Sequence, residues 1–465
     1  MASSSGLTAT DGDIPRSASV VIIGGGIVGL TAALTLAERG VQAVVLEKGL
    51  VAGEQSSRNQ GWIRKTSRTP ADVPLAVASD RLWTGMSERV GADVGYRRAG
   101  ILFLARSEAE MQIHDRWIRS VADLGLDSRL LTPSDIDRLV PGGRGTWAGG
   151  IYTPSDGRAE PTLAAQAIGR AAVAKGAIIV ENCAVRSLVR SNGRVTGVAT
   201  ERGEISSDGV LLAGGLWSRR FLANAGIDLP TLPLTVSVAR TAPMEGPTEI
   251  AVGAPDFSFR KHADGGFIVT HRGAIKAPIT LDHLLIGRQY MSSLKTQRHY
   301  LRVSLGREFL KDLALPRRWR AGARSPFERV RAKDWAVDRR AIDEALVALR
   351  SAWPVFERAQ IAATWSGTVD VTPDSTPVID HVAGLAGLTV CSGFSGHGFG
   401  TAPAAGQLAA DLVSGAPPLI DPTPYRLRRF SSPKCISGRG PTSTSALPDD
   451  RQTDWPTQLE PQDMP

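Results

Sequence analysis

Cysteine is scarce in this chain, with three residues in a length of 465 and none spaced as a Cys-x-x-Cys pair. That scarcity excludes a disulfide-stapled scaffold, a zinc ribbon and a dithiol redox site. The seven histidines show no spacing typical of a metal site. Hydrophobic residues at 42% and charged residues at 22% are the proportions of an ordinary globular chain, long enough for several domains.

The excess of positive charge is modest and spread along the chain. Lysine and arginine number 54 against 46 acidic residues, which gives a net charge of +8. Basic residues cluster only briefly, at 317–320 and 426–429, without the interleaved aromatic residues of a nucleic-acid-binding stripe. We therefore expect no nucleic-acid partner, although the same charge would favour an anionic substrate.

One apolar stretch, residues 19–37, approaches the length of a membrane span. It contains four glycines, and Arg16 is the one cation among the first 20 residues, so the basic flank of a signal peptide is missing. The sequence therefore predicts no transmembrane segment and no export signal, and a cytoplasmic location.

Residues 19–47 predict a strand, a glycine turn, a helix and a second strand. The glycines of Gly24-x-Gly26-x-x-Gly29 allow a tight turn and a close backbone approach to a diphosphate at the helix N-terminus. Glu47 ends the second strand, 18 residues after Gly29, where a carboxylate can accept ribose hydroxyls. The register predicts a dinucleotide site and leaves FAD or NAD(P) open.

Three further segments are rich in small or amide side chains. Residues 56–62 follow Glu47 and would suit more cofactor contacts, and residues 211–218 run from an apolar strand into small residues. Residues 391–400 form a glycine-rich loop before a helix predicted over 401–414. Such a loop offers backbone N–H groups and the positive end of a helix to an anion, as a reduced flavin requires.

These segments, in this order, resemble the FAD-dependent D-amino-acid oxidase superfamily, near its glycine oxidase, sarcosine oxidase β-subunit and opine oxidase branch. The likeness covers residues 18–420 and includes Thr372-Pro373-Asp374 before the second loop. It implies an α/β + α+β fold, with a Rossmann-like FAD-binding domain interleaved with an antiparallel-sheet substrate domain. The predicted FAD-binding segments are 17–80, 150–230 and 345–420, the substrate segments 81–149 and 231–344, and the disordered ends 1–16 and 421–465.

The resemblance also implies a reaction. Members oxidise the C–N bond of an amino acid or an N-substituted amino acid by hydride transfer to flavin N5, and the imine is then hydrolysed. One alternative is a flavin monooxygenase or an NAD(P)-linked Rossmann enzyme, although we find no later Gly-Asp signature of the monooxygenases. A further alternative is the flavin-bearing subunit of a multisubunit amine dehydrogenase, in a homo- or hetero-oligomer.

Site residues follow from the resemblance. Arg64 falls where relatives place an arginine that binds the substrate carboxylate, and a guanidinium fork suits that ligand. His271, Trp365 and His397 lie on segments expected to face the flavin. The predicted cofactor-binding residues are Gly24, Gly26, Ile27, Val28, Gly29, Glu47, Lys48, Ser56, Ser57, Asn59, Gln60, Gly61, Val185, Ala213, Gly214, Trp217, Gly393, Ser395, Gly396, His397, Gly398, Phe399 and Gly400.

The chain lacks two lysines that sarcosine-type oxidases carry. Those enzymes carry a lysine where this chain has Gly400, and a second, oxygen-activating lysine that the matching residues 265–271 lack. The electron acceptor is therefore open between O2 and another carrier.

A third departure concerns flavin attachment. The tethering cysteine of monomeric sarcosine oxidases would fall near Gly367, and residues 56–58 offer no histidine. We expect non-covalent FAD, so acid precipitation of the purified protein should release its yellow colour into the supernatant. Colour that remains in the pellet would contradict this prediction.

Overall fold

The computed structural model describes residues 14–292, 294 and 301–430. Most of the two predicted disordered ends, residues 1–13 and 431–465, lies outside the described residues. Residues 421–430 do not: Tyr425 is buried and its hydroxyl donates to the Ala71 carbonyl oxygen. The prediction of disorder from 421 onward was therefore wrong for these residues, because contacts of Tyr425, Leu427 and Arg429 hold them against the fold.

The first sheet has parallel strands at its centre. Ser17–Ile23 pairs in parallel with both Ala43–Leu46 and Gly203–Leu212. The ends of these strands, at residues 20–23, 43–46 and 210–212, are continuously apolar and buried. Across the described residues the sheet's other strands are Ile178–Val180, Val185–Ser191, Arg194–Thr200, Val378–His381 and Leu388–Ser392. Ile23, Leu46 and Leu212 lie side by side in the register, so the residues that follow them meet at one edge.

The second sheet is mostly antiparallel and carries the candidate substrate pocket. Its longest pairing joins Leu232–Thr241 to Ile361–Val371. The other strands, within the described residues, are Ile101–Ala105, Arg129–Leu131, Gly149–Thr153, Ala251–Gly253, Ser258–Lys261, Phe267–Thr270, Ile275–Pro278 and Leu301–Ser304. One face packs aromatic side chains against the helix Arg339–Ala352. A separate, two-stranded antiparallel sheet pairs Trp62–Ile63 with Gly157–Arg158.

The helix Ile27–Glu38 is packed between Pro161–Ala174 and Gly398–Ser414. A Cβ on Gly406 would lie 2.7 Å from both Thr31 Cβ and the Val28 carbonyl oxygen, so glycine permits this close approach. The remaining α-helices of the described residues are Gln55–Arg58, Val73–Thr84, Met86–Val90, Glu108–Ser120, Pro133–Leu139, Ser218–Asn224, Leu281–Ile286, Arg307–Ala314, Pro326–Arg329 and Arg339–Ala352.

The observed fold class agrees with the predicted one, while one strand joins a different sheet from the one that the predicted domain segments imply. The interleaved fold class is confirmed. The domain boundaries stay a prediction, but Ile361–Val371, which falls in the predicted FAD segment 345–420, pairs with the second sheet. Its alternating pattern shows that it is a strand and does not show which sheet it joins. Within the described residues, no helix is both long and apolar enough to cross a bilayer.

Candidate functional site

A cavity of about 750 Å³ runs from the carboxyl edge of the first sheet to one face of the second. Gly24, Glu47 and Ala213 line one end, where three parallel strands finish. Thr270 and Val238 of the second sheet line the other end. The cavity is thus positioned by the two sheets together, at the strand edge where open α/β folds bind ligands.

Glycine is required where the first strand turns into the helix. Gly24 has φ +112°, and a Cβ there would lie 2.5 Å from the Ala213 carbonyl oxygen. A Cβ on Gly29 would lie 2.2 Å from the Gly24 carbonyl oxygen. The helix begins at Ile27, and its N-terminus faces the cavity. Ile27 N–H donates to Ser56 Oγ at 2.9 Å, which joins the two predicted cofactor segments.

Glu47 is held by main-chain amides at the end of the second strand. Gly25 N–H donates to Oε2 at 2.8 Å and Gly49 N–H donates to Oε1 at 2.7 Å. Burial raises the pKa of Glu47, while the positive charge of Lys48 and the two amide hydrogen bonds lower it and offset part of this rise. Each carboxylate oxygen keeps a second lone pair, so Glu47 can still accept a hydroxyl from a ribose.

A segment that the sequence analysis missed closes the cavity beside Lys48. Lys48 Nζ donates to the Arg331 carbonyl oxygen at 2.6 Å and lies 4.4 Å from the centre of the Trp217 ring. Arg331 in turn forms an ion pair with Glu201. No local pattern could have indicated this contact, because Lys48 and Arg331 are 283 residues apart in the chain.

The second glycine loop is shaped by Asp370, which the sequence analysis also missed. Gly393 N–H donates to Asp370 Oδ2 at 2.7 Å and Ser395 N–H donates to the Asp370 carbonyl oxygen at 3.0 Å. Those two amides are therefore engaged within the loop. The helix begins at Gly398, not at the predicted residue 401, and Gly398 and Phe399 line the cavity at its positive end.

Arg64 and His397 meet beside this cavity, since Gly396 and Gly398, on either side of His397, line it. Arg64 Nη2 lies 3.0 Å from His397 Nε2, and Arg64 Nη1 donates to the Thr66 carbonyl oxygen. Burial, with the neighbouring Arg68 and Arg272, lowers the pKa of Arg64 to about 9. Burial and the same kind of cationic neighbours, Arg68 and Arg64, lower the pKa of His397 well below its usual value.

The protonation state of His397 follows from that contact. A guanidinium has no acceptor, so Nε2 must accept the hydrogen bond and the ring proton of a neutral imidazole lies on Nδ1. His397 Nδ1 is buried and makes no hydrogen bond with the described residues. It is therefore a buried donor without a partner among the described residues.

The acids nearest to this border have partners other than Arg64. Asp72 is engaged by Arg68 at 2.8 Å, and Asp156 accepts hydrogen bonds from the main chain of Lys65 and Thr66. Within the described part of the chain, Arg64 forms no ion pair with a carboxylate. The arrangement is suited to binding an anion.

An aromatic wall lies beside the arginine. The rings of Trp62 and Phe103 pack edge to face with centroids 5.4 Å apart. Arg64 Cζ lies 5.7 Å and Arg272 Cζ 4.4 Å from the centre of the Phe103 ring. Phe103 and Arg272 were missed because they come from strands distant in sequence from Arg64.

Two predicted catalytic residues lie elsewhere. His271 Nε2 is 3.8 Å from Glu344 of the helix Arg339–Ala352. Thr270 lines the cavity, so its neighbour His271 points to the opposite face of the sheet. Trp365 Nε1–H donates to the Arg58 carbonyl oxygen at 3.0 Å and supports that loop. The structure does not bring either residue to Arg64.

Most of the predicted cofactor residues converge. All line the cavity except Gly29, Ser57, Gly61, Gly393, His397 and Gly400. Asn59 also shapes its own loop, because its side chain donates to the Gln55 and Ser56 carbonyl oxygens and accepts from Gly61 N–H.

The departures at Gly400 and Gly367 have a steric explanation. A Cβ on Gly400 would lie 2.9 Å from the Trp62 carbonyl oxygen, and a Cβ on Gly367 would lie 2.9 Å from the Arg58 carbonyl oxygen. Neither a lysine at 400 nor a cysteine at 367 would fit without movement of the backbone. The residues present therefore fit a non-covalently bound FAD, with a glycine cradle for its diphosphate and a helix N-terminus for its ring.

Comparison with known proteins gives a consistent result. The model of a family described as "FAD dependent oxidoreductase" matches residues 19–412. Sarcosine oxidase subunit beta from Arthrobacter sp is 27% identical over 91% of this chain and 94% of that protein. Glycine oxidase from Pseudomonas putida is 27% identical over 88% of this chain and 98% of that protein.

Solved structures extend the comparison. An L-amino acid deaminase from Proteus myxofaciens in complex with anthranilate superimposes with a TM-score of 0.87, at 34% identity over 91% of this chain and 95% of that one. An L-proline dehydrogenase from P. horikoshii superimposes with a TM-score of 0.74, at 25% identity over 90% and 99%. The predicted superfamily and the FAD cofactor are thereby confirmed.

Replacing the Glu47 carboxylate should weaken cofactor binding. Hydrogen bonds to a charged group contribute about 1.5–3 kcal/mol, so we expect Glu47→Ala to bind FAD roughly tenfold to a hundredfold more weakly. Fluorescence titration of the apoprotein with FAD measures this change. Glu357→Ala, at an exposed glutamate away from the cavity, is the control, and equal affinities in the two variants would contradict the role of Glu47.

Proposed function

Because the chain belongs to the family of FAD-dependent oxidoreductases, we propose that it oxidises the bond between the α-carbon and the nitrogen of a free L-α-amino acid. Hydrolysis of the resulting imine then gives a 2-oxo acid and ammonia. The observation that carries this proposal is the pairing of Arg64 with a neutral His397 at the border of the cofactor cavity. The 34% identity with an L-amino acid deaminase supports it.

The substrate carboxylate is assigned to Arg64 and His397. Arg64 offers a planar fork of donors and lacks an acidic partner among the described residues, and His397 offers its Nδ1–H. Both donors are fixed: Arg64 by the Thr66 carbonyl oxygen, and His397 by its position just before the helix Gly398–Ser414. The carboxylate would thus be oriented before reaction, which lowers the entropic cost of the productive geometry.

The rest of the substrate would lie along the aromatic wall. Trp62 and Phe103 are buried and their rings pack against each other next to the arginine. Apolar rings at this position favour an amino acid with an apolar or aromatic side chain and exclude water from the α-carbon.

The electrostatics also bear on the amine. The cationic surroundings of Arg64 lower the pKa of any ammonium group brought beside them, so the bound substrate would lose its proton more readily. The flavin, when bound, supplies the acceptor for the electrons that leave the C–N bond. The chain's own contribution is therefore orientation, desolvation and deprotonation of the amine.

We further propose that the physiological electron acceptor is a carrier other than O2. A fixed cation beside the flavin would stabilise the negative charge that develops when O2 is reduced. The described residues that line the cavity include three cations. Lys48 is held at the dinucleotide end by Trp217 and the Arg331 carbonyl oxygen, and Arg58 and Arg331 form ion pairs with Asp334 and Glu201. An L-proline dehydrogenase among the solved structures is consistent with this assignment.

The test is anaerobic bleaching of the flavin absorbance by a panel of L- and D-amino acids, sarcosine and amines that lack a carboxylate. We expect at least one L-amino acid to bleach the flavin and its decarboxylated analogue to have no effect. A redox dye should reoxidise the flavin faster than air. Bleaching by sarcosine alone would favour the N-substituted amino acids instead, and no bleaching at all would contradict the proposal.

Removing the Arg64 guanidinium should act on substrate binding. We expect Arg64→Ala to raise KM roughly tenfold to a hundredfold, since a charged hydrogen bond contributes about 1.5–3 kcal/mol. Its FAD content should stay that of the wild type, because Arg64 lies at the border of the cavity. Arg116→Ala, at an exposed arginine of the helix Glu108–Ser120, serves as the control. An unchanged KM in Arg64→Ala would refute the carboxylate assignment.

A further inference from the structure

Asp370 is a buried acid to which the reaction proposed above gives no role. It lies next to the end of the strand Ile361–Val371, is 1% exposed and contributes to the lining of the cofactor cavity. A buried carboxyl group in such a position requires compensation for its lost hydration.

That compensation comes from neutral donors on two separate cofactor segments. Gly393 N–H donates to Oδ2 at 2.7 Å, and Gln55 Nε2 donates to Oδ1 at 3.3 Å. Gln55 precedes Asp370 by 315 residues in the chain. Asp370 is therefore the side chain that joins the loop after Glu47 to the second glycine loop.

The groups around Asp370 supply no positive charge. The titratable neighbours that sense its charge are Cys391 of the strand Leu388–Ser392 and Tyr290, and both are uncharged at neutral pH. Asp374, in the turn beyond the strand, is an acid engaged by Arg429. Within the described residues Asp370 takes part in no ion pair. Burial raises the pKa of Asp370 to about 6, although the hydrogen bonds from the Gly393 amide and the Gln55 side chain act to lower it.

We propose that Asp370 is a proton-binding positioning residue of the cofactor site, whose carboxyl group takes up a proton from solvent when an anionic cofactor enters the cavity. Gln55, which donates to Asp370, precedes Ser56, whose Oγ accepts from Ile27 N–H at the diphosphate end of the cavity. FAD brings a diphosphate that is negatively charged throughout the neutral range, and a carboxylate in the same water-poor cavity repels it. The protonated carboxyl group keeps an acceptor for Gly393 N–H and removes this repulsion. The inference rests on FAD being the occupant of the cavity.

The sign of the pH effect follows from linkage. Below the pKa of Asp370 in the free protein the group is already protonated, and FAD affinity is at its maximum. As pH rises above about 6, binding must be accompanied by uptake of a proton, and affinity falls by at most tenfold per pH unit. The fall ends once pH exceeds the higher pKa that the group has in the complex.

The experiment is a fluorescence titration of the apoprotein with FAD between pH 5.5 and 8.5. We expect the wild-type dissociation constant to rise roughly tenfold between pH 6 and 8, and Asp370→Asn to show a flat profile close to the low-pH wild-type value. Asp374→Asn, an acid-to-amide change at the neighbouring turn, should keep the wild-type slope.

A second variant keeps the test decisive if Asp370→Asn does not fold. Gln55→Leu removes a donor that stabilises the charged carboxylate, so the inflection of the profile should move to higher pH. Parallel profiles for wild type and Asp370→Asn, or an unmoved inflection in Gln55→Leu, would overturn this inference alone. Failure of the wild-type protein to bind FAD would overturn it together with the proposed function.

Discussion

The close approach of main chain to main chain at the carboxyl edge of the first sheet is the constraint on which the rest of the molecule depends. Gly24 lies so near the Ala213 carbonyl oxygen, and Gly29 so near Gly24, that a single methyl group at either position would force these segments apart. Gly400 approaches the Trp62 carbonyl oxygen in the same way, so a side chain is excluded there too. Backbone amides and a helix N-terminus can therefore reach a cofactor directly, with few charged side chains.

Charge is distributed unequally along the cavity. Positive groups gather at the border around Arg64, while the second glycine loop is organised by an acid, Asp370, without a cationic partner among the described residues. The first arrangement is suited to an anion, and the second holds a loop through neutral hydrogen bonds. The cluster of cations and the buried acid are thus kept at different places along a single cavity.

The sequence predicted what depends on short spacing. The glycine turn with Glu47 and the second loop each carry their geometry within a short stretch, so each could be predicted by itself. Their convergence at one cavity was expected from the family resemblance. Phe103, Asp370 and Arg331 reach the site through pairings between distant segments, which no spacing encodes. His271 shows a subtler limit: its strand was recognisable, but the face to which it points depends on a register fixed only by the neighbouring strands.

The helix Ile27–Glu38 illustrates a consequence for how the chain acquires its structure. One of its two neighbours, Gly398–Ser414, comes from the opposite end of the described chain. During synthesis on the ribosome, the first helix therefore emerges long before this partner exists. Its apolar surface lacks this partner until residues 398–414 have been synthesised, so the coenzyme pocket becomes complete only as translation of the described region ends.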